Sequence, residues 1–333
     1  MSATASPPAS RRRSSSTAAT VVASASNYSL PVLLVLLVLV FSLAQPETFA
    51  TLANLKTILS SNSVLGVLAI AALLPLLIGQ FDLSVGANLG LAGILVTGLA
   101  SKSGFNAAEA IAAALAASTL VGFVNGTLVA YAGIDAFVTT LGMSSLLSGA
   151  AVWYTNGQSI STGIPEGITR LGQNEVAGIP VPVLFLTVVV ALAAYFVHAT
   201  PVGRYLYALG GSREASRLSG LNVSRLTVLA FTATGLLAGL AGVIEAAEIG
   251  TGDPLVGPPF LLPAFAAVFL GATSFRRGTF NVAGTVFAVF TIAVGINGLE
   301  SVGAPSFIEP VFTGGALVSA ALASRWLNRR RTA

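Results

Sequence analysis

Residues 203–225 read GRYLYALGGSREASRLSGLNVSR and interrupt a chain that is otherwise strongly apolar. Four of the sixteen basic residues lie in this stretch, at Arg204, Arg213, Arg217 and Arg225. Apolar segments of the length that a membrane span requires flank it on both sides. A polar segment of this size between membrane spans predicts a surface that docks a soluble partner.

The composition is typical of a polytopic helical membrane protein. Of the 333 residues, 54% are hydrophobic and only 8% are charged, whereas a soluble domain would carry about 25% charged residues. Cysteine is absent and His198 is the sole histidine, which argues against disulfides, thiolate metal sites and histidine-based zinc or proton-relay chemistry. In a membrane protein the position of basic residues in the loops reflects orientation in the membrane. The net charge of +4 is therefore no sign of a nucleic-acid partner, and we expect none.

Ten apolar segments are candidate membrane spans, so the predicted fold class is an all-α polytopic bundle. A span needs roughly 20 mostly apolar residues. The eighth segment is short and has Pro258, Pro259 and Pro263 near its start. A broken or half-spanning helix is therefore expected there, lined by protein or by a water-filled cavity. The ten segments are 30–44, 58–79, 83–101, 107–130, 137–155, 181–198, 226–248, 259–273, 281–298 and 306–324.

The N-terminal tail, residues 1–29, is rich in Ser, Ala, Thr and Pro. It has too little apolar surface to fold, so we expect a disordered cytoplasmic tail. The tail and the run 30–44 together resemble a signal peptide, but the spans that follow need a fixed starting orientation, which favours an uncleaved first helix. The membrane domain then covers 30–325, and a basic tail follows at 326–333.

The basic residues are distributed asymmetrically over the connections between the ten segments. With the N-terminus inside, thirteen of the sixteen lie on the cytoplasmic side, and only Lys56, Lys102 and Arg170 lie outside. This positive-inside pattern places both termini and the 200–225 segment in the cytoplasm. Most acidic residues fall outside, either because acids are indifferent to side or because the outer surface meets a partner.

Two shorter polar segments lie at boundaries of spans. Residues 79–86 read GQFDLSVG, where glycines favour a tight turn and Asp82 or Ser84 is placed to cap the third span. Residues 134–143 read IDAFVTTLGM and predict another turn into a helix.

The 200–225 segment predicts local structure of its own. Thr200-Pro201 is expected to end the sixth span, and Gly210-Gly211 to form a flexible turn. Residues 212–218 are predicted to form a short helix, with Ser212 as N-cap and Gly220 as C-terminal stop.

Taken in order, these residues resemble one family, the ribose-type permease subunits of binding-protein-dependent ABC importers. The resemblance runs from about residue 50 to about residue 325. Each matching motif is short and weak by itself, but the whole set occurs in the same order as in the family. The sequence departs from the family at 274–279, SFRRGT, where Arg276 and Arg277 stand in a loop that is usually glycine-rich. The matching pieces are 81–86, 125–126, 137–142, 155–158, 200–223, 235–242, 270–274 and 297–299.

The resemblance implies a homodimer, or two paired permeases, on two cytoplasmic ABC ATPase subunits in the inner membrane, surrounded by lipid. It also implies an external solute-binding protein. The chain has no GxxxxGK[ST] phosphate loop, so it is expected to be no enzyme and to bind no cofactor itself, with ATP and Mg used by the partner ATPase.

In the family the long cytoplasmic loop forms a coupling helix that sits in a groove of the ATPase. The polar residues would make rim contacts, and Leu218 would fill an apolar pocket. The alternative is a loop that serves only the positive-inside pattern. The residues concerned are Gly211, Ser212, Arg213, Glu214, Ala215, Arg217, Leu218 and Gly220.

The implied cargo is a sugar or sugar-like solute, moved by alternating access. Polar groups within spans are costly and often functional, but Asn and Thr also hydrogen-bond between helices, so both roles stay open. Candidate path residues are Asn88, Asn125, Thr139, Thr140 and Asn297, and the family motif at the span boundary contributes Gly79, Asp82, Leu83, Ser84 and Gly86.

Three other classes compete with this interpretation. An ion-coupled secondary transporter should have charged residues in the middle of spans, and an intramembrane enzyme should have a catalytic set; the sequence offers little of either. The related permeases for branched-chain amino acids share the general architecture, and nucleoside-like solutes are also possible. The 82–86 and 200–223 pieces favour the sugar group.

Overall fold

The computed structural model of the protein describes residues 28–275 and 278–332, with side chains as far as Leu322. The predicted tail up to residue 27, and Arg276 and Arg277, lie outside the described residues. In the described part, a short antiparallel hairpin (β1 Glu175–Val176, β2 Ile179–Pro180) and a 3-10 turn (Pro258–Phe260) accompany the α-helices. The helices are α1 Ser29–Ala44, α2 Leu52–Leu77, α3 Val85–Lys102, α4 Ala107–Ala130, α5 Ala136–Thr155, α6 Glu166–Gln173, α7 Val181–Ala199, α8 Pro201–Gly211, α9 Arg213–Leu218, α10 Val223–Ile249, α11 Leu261–Gly271, α12 Val282–Ser301 and α13 Ile308–Thr332.

Each of the ten predicted segments coincides with a helix, so the prediction of an all-α polytopic membrane protein is confirmed. In the described ranges, seven helices are long and apolar enough to cross a membrane, namely α2, α3, α4, α5, α7, α10 and α12. The other three segments correspond to shorter apolar helices, over Ser29–Ala44, Pro258–Gly271 and Ile308–Leu322.

Helices α2 and α10 form the centre of the bundle. Residues 63–77 of α2 are all buried, as expected for a helix that is apolar on every face. Helix α10 packs against α2, α3 and α4, and the hydroxyl of Thr234 donates a hydrogen bond to the carbonyl of Ala71 at 3.0 Å. The two central helices are therefore joined by apolar packing and by a polar contact.

The bundle has two distinct ends. At one, which we call the α6 end, the ammonium of Lys56 lies 2.6 Å from the carboxylate of Glu175, joining α2 to the hairpin beside α6. At the other, the α9 end, Leu77 at the close of α2 contacts Gly210 of α8. The turn predicted at 134–143 leads into α5. Asp135 caps this helix by accepting hydrogen bonds from the N–H groups of Phe137 and Val138.

The connection between α10 and α11, residues 250–257, is irregular and enters the bundle beside α3. Gly252 lies beside Thr97 and exchanges two backbone hydrogen bonds of 2.9 Å with Ile160. Gly257 lies beside Gly86, near the other end of α3. At the rise of an α-helix, Gly86 and Thr97 are about 16 Å apart along the helix axis. This descending segment explains why α11 is short, and the predicted break near Pro258 is confirmed.

Candidate functional site

The 200–225 segment folds into two short helices with well-formed ends. The hydroxyl of Thr200 accepts a hydrogen bond from the N–H of Gly203 at 3.4 Å and starts α8 directly after α7. The hydroxyl of Ser212 accepts from the N–H of Ala215 at 3.2 Å and caps α9. Gly220 follows α9 with a φ of +82°, a conformation that favours glycine. The predicted end of the sixth span, the short helix, its cap and its stop are confirmed.

The predicted flexible turn at Gly210-Gly211 is wrong, because both glycines belong to α8. A side chain at Gly210 would overlap the carbonyl oxygen of Leu77, whereas nothing lies within 4 Å of the corresponding position at Gly211. The first glycine thus serves close helix packing. It fixes α8 directly against the end of α2.

Helix α9 presents most of its side chains to the surface. Arg213, Glu214 and Arg217 are exposed, and Leu218 is 83% exposed although it is apolar. Ser216 is the buried residue of this helix. A capped helix that carries an exposed leucine among charged residues has the composition of a docking surface, with an apolar anchor inside a polar rim.

A groove of about 830 Å3 runs between α9 and the end of α4. Its walls include Arg213, Glu214 and Arg217 on α9 and Ala130 on α4. The hydroxyl of Ser224 donates to the carbonyl of Ala130 at 3.4 Å and closes one side of the groove. The 200–225 segment therefore contacts both α2 and α4.

The 79–86 motif folds into a buried polar cluster. The carboxylate of Asp82, which is 2% exposed, accepts hydrogen bonds from the N–H and the hydroxyl of Ser84 at 2.9 and 2.6 Å. The amide of Asn125 donates to the hydroxyl of Ser84 at 2.9 Å, and the hydroxyl of Thr140 accepts from the N–H of Leu83 at 3.0 Å. The cluster thus ties the α2–α3 connection to α4 and α5.

Burial raises the pKa of Asp82 to about 6, although its hydrogen bonds from Ser84 act in the opposite direction. The expected capping bond is absent at this described helix start: Ser84 occupies the N-cap position of α3, but its side chain accepts no capping hydrogen bond. Its hydroxyl is directed to Asp82 instead, because the buried carboxylate needs donors.

The candidate path residues fall in different places. The amide of Asn88 donates to the carbonyls of Ser118 and Gly235, at 3.2 and 3.4 Å, and joins α3 to α4 and α10. Asn297 is separate from the others and accepts a hydrogen bond of 3.0 Å from Asn54, linking α12 to α2. Among the described side chains, three of these residues keep a buried polar atom without a hydrogen-bond partner, namely the amide oxygens of Asn88 and Asn125 and the hydroxyl of Thr139.

A cavity of about 260 Å3 lies where α11 begins, and its polar residues were not predicted from the sequence. Its wall includes Ser61 and Asn62 of α2 and Thr313 of α13. The available signal was the proline group at 258–263, which marks the broken helix beside it. In the described ranges there is no group of three or more His, Cys, Asp or Glu side chains that could hold a metal ion.

Comparison with known proteins identifies relatives along almost the whole chain. Residues 54–321 match the family described as "Branched-chain amino acid transport system / permease component". The ribose import permease protein RbsC of Escherichia coli (strain K12) is 38% identical over 286 residues, covering 85% of this chain and 88% of that protein.

Other relatives are similarly complete. RbsC of Haemophilus influenzae is 33% identical over 303 residues, covering 90% of this chain and 93% of that protein. The D-allose transport system permease protein AlsC of Escherichia coli (strain K12) is 29% identical over 307 residues, covering 91% and 93% of the two chains. No solved structure matches the chain.

Proposed function

This chain belongs to the family of branched-chain amino acid transport system permease components, and we propose that it is the membrane subunit of an ABC importer for a sugar or sugar-like solute. The relatives named as ribose and D-allose permeases, which align with most of the chain, support the sugar class over branched-chain amino acids. Solute enters by alternating access between the two sides of the membrane.

We place the protein in the inner membrane. Its proposed topology has ten spans, with both termini in the cytoplasm. The distribution of basic residues supports it, since thirteen of sixteen then lie inside. The α9 end faces the cytoplasm in this arrangement, and the α6 end faces outward. The crossing at α11 is completed by the irregular segment 250–257, which covers the depth that the short helix leaves.

The observation that carries the proposal is the geometry of α9 at the α9 end. Arg213, Arg217 and Leu218 project from α9, a capped helix that lies between α8 and α10 in the chain. Helix α8 packs against α2 through Gly210, and Ser224 at the start of α10 hydrogen-bonds to α4. A partner that pushes α9 would therefore act on α2 and α4 through α8 and α10. That partner is a separate ATPase, which would bind ATP and Mg and hydrolyse ATP.

A second permease copy, forming a homodimer in membrane lipid, would complete the pathway, and an external solute-binding protein would dock at the α6 end. Of the five candidate path residues, Asn88, Asn125 and Thr140 make contacts that favour a role in fixing helices and the 79–86 motif. The uptake of sugar by Asn125→Ala and Asn297→Ala variants would separate this role from solute contact.

An ion-coupled secondary transporter is the competing proposal. The acidic side chains of the long spans support it weakly, because Glu245 and Glu248 lie in the last turns of α10. Ion coupling generally uses charged groups within the bundle interior.

The first test is recovery of the tagged chain from its native membrane with its partners identified. We expect an ABC ATPase to be recovered with the wild type, and its recovery to fall about tenfold in Arg217→Glu, the cost of a like-charge contact at an interface hot spot. Leu218→Ala should weaken recovery less. The matched control is Arg170→Glu, the same charge reversal at the α6 end, which should leave ATPase recovery unchanged. Recovery of the chain alone, with uptake that collapses when the proton gradient is removed, would overturn the proposal in favour of a secondary transporter.

A further inference from the structure

The cavity beside α11 lies between four helices of the bundle. Its lining comes from α2, α11, α12 and α13 and from the 3-10 turn before α11, and it includes Asn62 and Ile292. Asn62 is ten residues after the start of α2, which corresponds to about 15 Å of helix, and Ile292 is at the middle of α12. Neither residue is close to a helix end. The part of the cavity that these two residues line is therefore at the depth of the membrane interior.

Several polar groups facing this cavity have unused hydrogen-bonding capacity. The amide N–H of Asn62 donates to the carbonyl of Ile58 at 2.9 Å, which leaves its oxygen available. The hydroxyl of Thr313, a residue only 5% exposed, makes no hydrogen bond to any described residue. Pro263 has no N–H, so the carbonyl of the lining residue Pro259 lacks the donor that an α-helix would normally supply four residues later.

The irregular backbone next to the cavity favours contact with a polar occupant. Non-helical backbone at membrane depth is tolerated where protein buries it or where it lines a water-filled cavity. Gly252 and Gly257 of this connection pack against α3, and the 3-10 turn before α11, with Pro259 and Phe260, borders the cavity. The non-helical backbone before α11 therefore forms part of the cavity wall.

The size and charge of the cavity restrict what it can hold. Pockets for drug-sized ligands measure roughly 300–1,000 Å3, so about 260 Å3 suits a smaller solute such as a single sugar ring. The described lining residues include one carboxylate, Glu309, and no basic side chain. A solute with its own carboxylate, such as an amino acid, would have no cationic partner there.

We propose that this cavity is a binding station for an uncharged, polyhydroxylated solute, with Asn62, Thr313 and the carbonyl of Pro259 as hydrogen-bond partners and Phe260 as an apolar wall. The inference rests on the proposed import function and names the intramembrane site and the solute class that this function would use.

The absence of cysteine makes this proposal directly testable. Single variants Asn62→Cys and Thr313→Cys are reconstituted as full-length chains in proteoliposomes and treated with a membrane-impermeant thiol reagent, added to both sides. The matched control is Val188→Cys, at an exposed apolar position of α7. A thiol in hydrocarbon stays protonated and unreactive, so we expect the two cavity cysteines to react about tenfold faster than the control.

Protection then tests the solute class. D-Ribose and D-allose at millimolar concentration are expected to slow labelling of Asn62→Cys, and L-leucine is expected to have no effect. Labelling no faster than at Val188→Cys would overturn the cavity as a solvated site. Protection by L-leucine but by neither sugar, or by none of the three, would overturn the solute class. Because labelling needs only the purified chain, its failure is distinguishable from failure to recover an ATPase.

Discussion

Two of the polar segments that interrupt this apolar chain fold in opposite ways. In the 79–86 motif the polar groups are directed inward, and Asp82, Ser84, Asn125 and Thr140 form one buried cluster. In the 211–220 segment the polar groups are directed outward, with α9 fixed by its caps and its side chains left to the surface. The 79–86 motif follows α2 directly in the chain, and the 211–220 segment follows Gly210, which packs against Leu77 at the end of α2.

The difference separates two kinds of functional sequence. Buried polar groups must be satisfied within the protein, so changing them alters the fold and only indirectly the transport. Exposed side chains on a rigid short helix contribute little to the fold, so changing them should affect partner binding alone. The contrast would be wrong if substitutions in either segment changed both the stability of the protein and its binding to the partner.

The largest effect is expected for Gly86→Val in the buried motif. A side chain at Gly86 would begin 2.8 Å from the carbonyl oxygen of Gly257 and 3.5 Å from the Leu261 side chain, and the rigid backbone cannot move aside. We expect a loss on the order of 3 kcal/mol in the free energy of unfolding. Thermal unfolding and size-exclusion profiles in detergent measure it.

Gly142→Val is the control for this change, since nothing lies within 4 Å of the corresponding position on α5. It should fold nearly as the wild type does. If the two variants were equally stable, the packing of segment 250–257 on α3 would be wrong.

A smaller effect is expected from the charge of Asp82. Burial raises its pKa from 3.8 to about 6, so the folded state holds a proton that the unfolded state releases between these values. Stability should therefore be greatest below about pH 4 and fall, by on the order of 2 kcal/mol, as pH rises to about 6. Asp82→Asn should remove this part of the pH dependence, seen as the difference between thermal unfolding profiles of the two proteins from pH 4 to pH 7.

The counterpart in the exposed segment is Glu214→Gln on α9. We expect it to leave the free energy of unfolding unchanged, because this side chain is at the surface. An unchanged profile in Asp82→Asn would show that the cluster contains no buried ionisable carboxylate.

The sequence predicted the helices and the exposed segment well because both depend on local signals. Apolar runs located the seven described helices that are long and apolar enough to cross a membrane, and Ser212 and Gly220 marked the ends of α9. The sequence could not predict that Asn125 would meet Ser84, or that Gly257 would reach Gly86, because each contact joins residues far apart in the chain. Polar residues such as Asn62 and Thr313 resemble ordinary helix residues until a cavity brings them together.

The smallest effect concerns the two adjacent glycines that the sequence led us to interpret as one turn. Gly210→Ala should destabilise the protein by about 1 kcal/mol or more, because the new methyl group would overlap the carbonyl of Leu77. Gly211→Ala should stabilise it by roughly 0.5 kcal/mol, because alanine loses less backbone entropy in a helix and meets no neighbour. If the two substitutions shift the thermal unfolding temperature in opposite directions, the chain passes from packed to exposed sequence between Gly210 and Gly211. Destabilisation by both would instead indicate that a hinge at this point, and not a continuous α8, joins the exposed segment to the bundle.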